Sequence, residues 1–331
     1  NYRAHRYKEA YDQLPQNLIL GSETASTVSS RGVYKFPVED KKSATYDDHQ
    51  CSSYDVEACS WSNIPDEDFA LADDNHWTIG QFVWTGFDYL GEPSPYDTNA
   101  WPNHSSMFGI IDLANIPKDR YYLYRSVWNK NAETLHVLPH WTWPGREGKV
   151  TPVFVYTNHP TAELFINGKS YGKQSKNNSS LKNRYRLMWM DAVYEPGEIK
   201  VVAYNKDGKA VAEKIVRTAG KPHHIELVSN RNELTADGKD LAYITVKVVD
   251  KDGNLCPADS RQINFSVKGA GKYRAAANGD PTNLEQFHLP KMHTFNGMLT
   301  AIVQSGETAG EIVLTAKASG VKAGNIRIQT K

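Results

Sequence analysis

From about residue 134 to the end, the chain is a succession of short stretches in which apolar and polar residues alternate between turn-forming residues. When apolar and polar residues alternate at every second position, one face of the stretch points toward a core and the other toward solvent, as in antiparallel strands. The clearest turn is Asn167-Gly168, because both residues accept the positive φ angles of a two-residue hairpin. Many short strands joined by such turns predict β-sandwiches.

Two sandwiches fit this region, on either side of a Gly- and Pro-containing linker at residues 219–222. The first is predicted to use strands at residues 151–156, a hairpin at 162–171, and strands at 185–190, 199–204 and 211–217. The second is predicted to use strands at residues 225–228, 242–249, 263–267, 298–304, 312–318 and 325–329. The sequence therefore predicts immunoglobulin-like sandwiches over residues 134–220 and 221–331.

Residues 1–133 follow another pattern, in which helical spacing alternates with short continuous apolar runs of the kind that parallel sheets bury on both faces. The predicted elements are a helix at residues 6–14, a strand at 17–21, a helix at 65–73, a strand at 80–84 and a helix at 117–128. Two strands with their helices are too few to close a barrel. We expect a partial (β/α)8 barrel of about two strands, and the polar, helix-like opening at Asn1 indicates a chain that begins inside a domain.

Composition excludes several classes of partner and cofactor. The 38 basic and 38 acidic residues balance and form no long run of one sign, which argues against nucleic acid and anionic membranes as partners. No stretch has the roughly 20 apolar residues of a membrane span. The cysteines at 51, 59 and 256 lack the paired spacing of zinc sites, so we expect no metal and no other cofactor. Cys51 and Cys59 flank a short loop and could form a disulfide, although two free thiols fit better.

Two side chains follow the predicted parallel strands where these end. Glu23 follows the first strand, and Trp84 closes the second in a stretch that continues to Asp88. The carboxyl ends of barrel strands converge on the active site, so a carboxylate and an indole at these positions face one pocket. Either residue alone would be explained equally well by a solvated loop or a core, and it is the pair in this order that indicates catalysis.

Several stretches resemble glycoside hydrolases of family 2, and especially bacterial β-galactosidases with additional C-terminal sandwiches. The similar stretches are residues 21–26 (GSETAS), 82–89 (FVWTGFDY), 91–96 (GEPSPY), 108–113 (FGIIDL), 117–119 (PKD), 153–158 (VFVYTN) and 163–170 (ELFINGKS). The resemblance implies a retaining exo-β-glycosidase that forms a glycosyl-enzyme intermediate.

The resemblance also implies roles for individual residues. Glu23 corresponds to the nucleophile, Trp84 to a tryptophan that lines the sugar site, and Tyr2 to a tyrosine that hydrogen-bonds the nucleophile; Asp88 is expected to contribute to substrate binding. The family's acid/base Glu lies on a strand that precedes Asn1. Because retention needs two carboxyl groups about 5 Å apart, we expect the chain alone to be inactive without the N-terminal part of the same polypeptide.

The resemblance narrows the substrate as well. The family's β-glucuronidases have an Asn-x-Lys pair just before a Gly, and the matching positions here are Ser106 and Phe108. This difference favours a neutral sugar, and the expected substrate is a terminal, non-reducing β-D-galactoside of an oligo- or polysaccharide. A bacterial periplasmic or secreted location is expected, and a homo-oligomer remains open. The alternative hypothesis is a carbohydrate-binding or adhesion protein in which tandem immunoglobulin-like modules are the working part.

Overall fold

The computed structural model describes residues 2–331, and its helices lie mostly in the first part of the chain. They are α1 (Tyr7–Gln13), α2 (Pro65–Asp74), α3 (Asp119–Trp128) and a short α4 (Leu181–Tyr185). The strands of the first part are β1 (Ile19–Thr24), β2 (Lys41–Lys42), β3 (Glu57–Ala58) and β4 (Thr78–Val83). The helices within residues 2–331 are all too short or too polar to span a lipid bilayer.

β1 and β4 form a parallel pair, as the sequence predicts. Tyr7 of α1 packs with Ile19 of β1 and with Trp77 in a small buried cluster, which fixes the helix against the strand. Within the described residues these two strands form a two-stranded sheet, and a barrel is not seen. β1 also extends over Ser22 and Glu23, beyond the predicted end at Gly21, because backbone pairing with β4 continues past the point where the side chains become polar.

The next strands form the first predicted sandwich. They are β5 (Leu135–Leu138), β6 (Val153–Thr157), β7 (Thr161–Ile166), β8 (Lys169–Ser175), β9 (Leu187–Trp189), β10 (Glu198–Tyr204) and β11 (Ala210–Arg217). One sheet has the order β11-β10-β7-β8 and the other the order β5-β6-β9. The Asn167-Gly168 hairpin is confirmed, since the φ angles of its two residues are 48° and 80°.

β6 is buried along its whole length, which an outer strand of a free-standing sandwich would not be. Val153 and Val155 face the sandwich core, whereas Phe154 and Tyr156 join a second core. That second core also contains residues of the first part of the chain, namely Tyr54, Val56, Phe69, Ala70, Leu123 and Tyr124. The first compact unit accordingly combines residues up to Asp112 with Pro117–Arg217. The predicted boundary at residue 134 stays a prediction.

The second compact unit contains Leu113–Ile116 and Thr218–Lys331. Its strands are β12 (His224–Ser229), β13 (Glu233–Leu234), β14 (Leu241–Val249), β15 (Gln262–Gly269), β16 (Gly271–Ala277), β17 (Lys291–His293), β18 (Met298–Ser305), β19 (Gly310–Lys317) and β20 (Gly324–Thr330). The sheets have the orders β12-β14-β18-β16 and β13-β20-β19-β15-β17, around one apolar core. The six predicted strands are present, and β13, β16 and β17 were not predicted.

Candidate active site

Glu23 lies at a shift in the register of the β1–β4 pair. Gly21 is opposite Gln81 and Thr24 is opposite Val83, so β1 advances by three residues where β4 advances by two. An extra residue of this kind redirects the side chain at that point and is common beside active sites. Glu23 is half-buried in this position, between an exposed Ser22 and a buried Thr24.

The backbone after β1 turns sharply and is held in place. Ala25 is fully buried and has a φ of 49°, in the left-handed region that costs a residue with a Cβ on the order of 1–2 kcal/mol. The next residue fixes the turn, because the Ser26 N–H donates to Ser62 Oγ at 2.7 Å and its carbonyl accepts from the Cys59 N–H at 3.0 Å. Such conformations persist where the surrounding structure overdetermines them.

Trp84 follows β4 directly and lies beside the end of β1. The backbone N–H of Trp84 donates to the carbonyl of Thr24 at 2.8 Å, which continues the parallel ladder by one step. Glu23 and Trp84 therefore leave the sheet at the same end and on neighbouring strands. The structure brings together the two residues that the sequence singled out, while their chemical roles remain predictions.

Tyr2 is the third predicted residue at this end of the sheet. Its N–H donates to the carbonyl of Glu23 at 3.1 Å. Burial is the main cause that raises the pKa of Tyr2 to about 12; the carboxylates of Glu23 and Glu92 add to it, and a hydrogen bond with Ser26 opposes it. The phenol therefore stays protonated at neutral pH and can donate a hydrogen bond.

Tyr89 and Glu92 extend this group of side chains and were given no role from sequence. The Tyr89 ring meets Trp84 edge-on at a centroid distance of 6.1 Å, and its hydroxyl donates to the Glu92 carboxylate. Glu92 is exposed and has a φ of 47°. The signal available in the sequence was the spacing of a tyrosine three residues before a carboxylate, with Gly91 between them to permit a tight turn.

Asp88 differs from its expected role in substrate binding, because its carboxylate is turned inward. One oxygen accepts the Gly109 N–H at 2.8 Å, and the other pairs with the Lys118 ammonium at 2.6 Å. Burial raises the pKa of Asp88 to about 6, and the neighbouring Lys118 works in the opposite direction. A buried carboxylate with a partner on each oxygen has little capacity left for a sugar, so this geometry favours a positioning role.

The two positions that match the Asn-x-Lys pair of β-glucuronidases are both fully buried. Ser106 exchanges hydrogen bonds with Tyr89, whose N–H donates to Ser106 Oγ at 3.1 Å and whose carbonyl accepts the Ser106 N–H at 2.8 Å. Phe108 belongs to the apolar cluster against which Trp84 and Tyr89 pack. Neither position provides a cation.

Metal ligands do not gather anywhere in residues 2–331: no three His, Cys, Asp or Glu side chains come together as a binding site would require. Cys51, Cys59 and Cys256 are buried free thiols. Of the two possibilities for Cys51 and Cys59, the structure has the free pair.

Two family models match the sandwich regions. Residues 225–327 match the family described as glycoside hydrolase family 2 C-terminal domain 5, and residues 148–212 match a domain of unknown function, DUF4982. The chain is 39% identical to "Beta-galactosidase BoGH2A" of Bacteroides ovatus over 340 aligned residues, which cover 100% of this chain and 38% of that protein. It is 33% identical to a "Putative beta-glucuronidase" of Formosa agariphila, with 76% of this chain and 24% of that protein covered.

Solved structures agree with the sequence matches. A β-glycosidase from Bacteroides vulgatus superposes with a TM-score of 0.81 at 31% identity, covering 94% of this chain and 41% of that one. A glycosyl hydrolase family 2 member from Bacteroides cellulosilyticus superposes with a TM-score of 0.80 at 28% identity, covering 100% of this chain and 41% of that one. The chain thus spans about 40% of the length of these relatives. By its C-terminal domain, its sequence relatives and its structural neighbours, the chain belongs to glycoside hydrolase family 2.

Proposed function

We propose that this chain is the C-terminal part of a retaining exo-β-glycosidase, in which Glu23 is the nucleophile and Trp84 lines the sugar site. The observation that carries the proposal is the hydrogen bond from the backbone N–H of Trp84 to the Thr24 carbonyl. This bond makes Glu23 and Trp84 neighbours at one end of a parallel pair of strands. A carboxylate and an aromatic ring in this relation suit a pyranose, which offers an electrophilic anomeric carbon and an apolar face.

We further propose that β1 and β4 are strands of a (β/α)8 barrel in the longer protein. Apolar side chains on this two-stranded sheet or directly before it are about half-exposed or more: Leu18 just before β1, and Leu20, Ile79 and Phe82 within the strands. A two-stranded sheet is marginal by itself and such side chains need a partner. Further barrel strands from the N-terminal part of the same polypeptide would cover them and complete the sheet.

In the proposed reaction the Glu23 carboxylate attacks the anomeric carbon, forming a glycosyl ester as the bond to the leaving oxygen breaks. That oxygen takes a proton from the acid/base Glu of the barrel's N-terminal part, which then removes a proton from water as the water hydrolyses the ester. Tyr2 is available to hold Glu23 through its protonated hydroxyl. The chain supplies one of the two carboxyl groups, so we expect it to be inactive by itself.

For the substrate, we propose a terminal β-D-galactoside. The relatives include proteins named β-galactosidase and β-glucuronidase, so the family by itself does not choose. A uronic acid would need a cation for its carboxylate, whereas Ser106 and Phe108 are buried and uncharged and the carboxylates of Glu23 and Glu92 both act on the Tyr2 hydroxyl. Two carboxylates accept hydrogen bonds from sugar hydroxyls and repel a uronate.

The alternative of a binding or adhesion protein is less well supported. It would leave the register shift at Glu23 and the group formed by Tyr2, Trp84 and Tyr89 without a purpose, because adhesion would use the sandwiches. The sandwiches themselves are proposed to support the catalytic domain.

The test is a kinetic comparison in the full-length enzyme. Aryl β-galactoside and aryl β-glucuronide would be assayed with the wild type, with Glu23→Gln, and with Glu226→Gln as a control on β12 in the second unit. We expect hydrolysis of the galactoside in preference to the glucuronide, a kcat loss of at least about 1,000-fold in Glu23→Gln, and wild-type rates in Glu226→Gln. A loss below about tenfold would be too small for the removal of a covalent nucleophile.

A further inference from the structure

Lys118 is a buried lysine whose ammonium has three acceptors. The residue precedes α3 and its side chain is 1% exposed. Its Nζ donates to the Ser29 carbonyl at 2.7 Å and to the Met107 carbonyl at 3.3 Å, and it pairs with Asp88 at 2.6 Å. An ammonium has three N–H donors, so this set satisfies it completely.

The three acceptors belong to the three chain segments that surround the candidate site. Ser29 lies in the segment that follows β1 and Glu23, and Asp88 lies in the segment that follows β4 and Trp84. Met107 belongs to the apolar cluster on which Trp84 and Tyr89 pack. One side chain therefore connects a backbone carbonyl on the nucleophile side with the Asp88 carboxylate on the tryptophan side.

The approach of these segments is close enough to need a glycine. The Gly109 N–H donates to Asp88 Oδ1 at 2.8 Å, and a Cβ at Gly109 would lie 2.2 Å from the Asp88 nitrogen. The Asp88 N–H in turn donates to the Ile111 carbonyl at 2.9 Å. Asp88 is thus rigidly placed and transmits the position of Lys118 to the segment after Trp84.

A second buried cation, Arg120, holds the neighbouring loop independently of Lys118. Arg120 Nη2 donates to the carbonyls of Phe108 and Gly109 at 2.7 and 2.9 Å, so the loop at Met107 has a tie that does not depend on Lys118. The Ser29 N–H also donates to the Met107 carbonyl at 3.0 Å, so what Lys118 adds is a direct link between Ser29 and Asp88. Burying a charge is costly and an apolar side chain often serves stability as well, so stability alone does not account for this pair.

We propose that Lys118 is a positioning residue that fixes the relation of Glu23 to Trp84 by joining the segments that follow β1 and β4. This inference rests on the proposed glycosidase function. Reacting groups lose on the order of 100-fold in rate when they are misplaced by about 1 Å. A lost link is therefore expected to lower kcat, even where the fold survives.

The experiment compares Lys118→Met, Asp88→Asn/Lys118→Met and the control Lys176→Met in the full-length enzyme. Lys176 is half-buried and donates to a backbone carbonyl, that of Thr157, at 2.5 Å, but it lies in the first sandwich and outside the site. We would measure kcat and KM on an aryl β-galactoside, with the concentration of active sites titrated by a slow fluoroglycoside. Tm would be measured on each purified variant.

We expect kcat to fall about 100-fold in Lys118→Met while KM changes by less than about threefold. The double variant removes both charges, so its Tm should recover toward the wild type while kcat stays low, and Lys176→Met should keep the wild-type kcat. A kcat for Lys118→Met within twofold of Lys176→Met, or a kcat that recovers together with Tm in the double variant, would overturn the proposal.

Two further outcomes remain decisive. If Lys118→Met does not accumulate as folded protein, Lys118→Arg is measured, since it keeps the charge but changes the donor geometry; a reduced kcat at unchanged Tm supports the proposal and a wild-type kcat overturns it. A wild-type enzyme that hydrolyses no glycoside, or a fully active Glu23→Gln variant, would instead contradict the proposed function itself.

Discussion

Carboxyl groups in the first unit fall into two classes that burial separates. Glu23 and Glu92 are partly or fully exposed at the end of the parallel pair, where a substrate could reach them. Asp68 and Asp88 are buried and have donors from the protein. The second class has a measurable consequence, because a buried carboxyl group changes its affinity for protons on folding.

Asp68 gives the clearest prediction of pH dependence. Its carboxylate accepts a hydrogen bond from Asn63 at 2.7 Å, and burial raises its pKa to about 7. The folded-state pKa of Asp68 lies above its unfolded value of about 4. The contribution of this carboxyl group to the free energy of unfolding is therefore complete below pH 4 and is lost as pH rises through about 7. Asp68→Asn should therefore gain stability relative to the wild type between pH 5 and pH 8, by on the order of 1–3 kcal/mol.

Urea unfolding of both proteins at pH 5 and pH 8 measures this change. Asp74→Asn is the control, because Asp74 is exposed and its hydrogen bond with Arg184 lowers its pKa, so that variant should show no gain at pH 8. A difference between Asp68→Asn and the wild type that is equal at the two pH values would contradict the assignment.

At the scale of elements, regular patterns were predictable and long-range polar contacts were not. Helices α1 to α3 and most strands follow from periodicity and turn residues. The short strand β17 and the helix α4 have too few residues for a period to show, and β16 (GKYRAAA) has little β-branched character. Glu23 and Trp84 could be paired because parallel strands end at one edge. The inward orientation of the Asp88 carboxylate could not be predicted, because its partner Lys118 comes from a distant segment.

Arg186 shows how much one such contact is expected to stabilise the junction of β6 and β9 with the first part of the chain. Its buried guanidinium forms a two-pronged pair with Asp66 and donates to the carbonyls of Tyr54 and Asp55 at 3.1 and 3.0 Å. Arg186→Met leaves Asp66 buried without its cation and should cost about 3–5 kcal/mol. The free energy of unfolding from urea titration measures this loss.

Arg184→Met is the matched control for that substitution. Arg184 pairs with the exposed Asp74 at 2.8 Å, so the same change two positions away should cost no more than about 1 kcal/mol. Equal losses in the two variants would mean that burial does not determine the strength of these pairs.

At the scale of the whole molecule, the chain has two compact units with separate apolar cores. Ile244 is fully buried in the core of the second unit. Since the two units have separate apolar cores, we expect two unfolding transitions. Ile244→Ala should lower the free energy of unfolding of one of them by about 2–5 kcal/mol. Differential scanning calorimetry measures both transitions, and a shift of a single common transition would contradict the separation.

The bacterial periplasmic or secreted location stays a prediction.

The most direct measurement of the role of Glu23 is covalent labelling of the full-length enzyme. A 2-deoxy-2-fluoro-β-D-galactosyl fluoride forms a glycosyl ester with the nucleophile that hydrolyses slowly, and mass spectrometry of the digested protein locates the ester. We predict a single label on the peptide that contains Glu23. A label on another carboxylate, such as Glu92, or active enzyme that is never labelled, would contradict the assignment of the nucleophile and with it the proposed site.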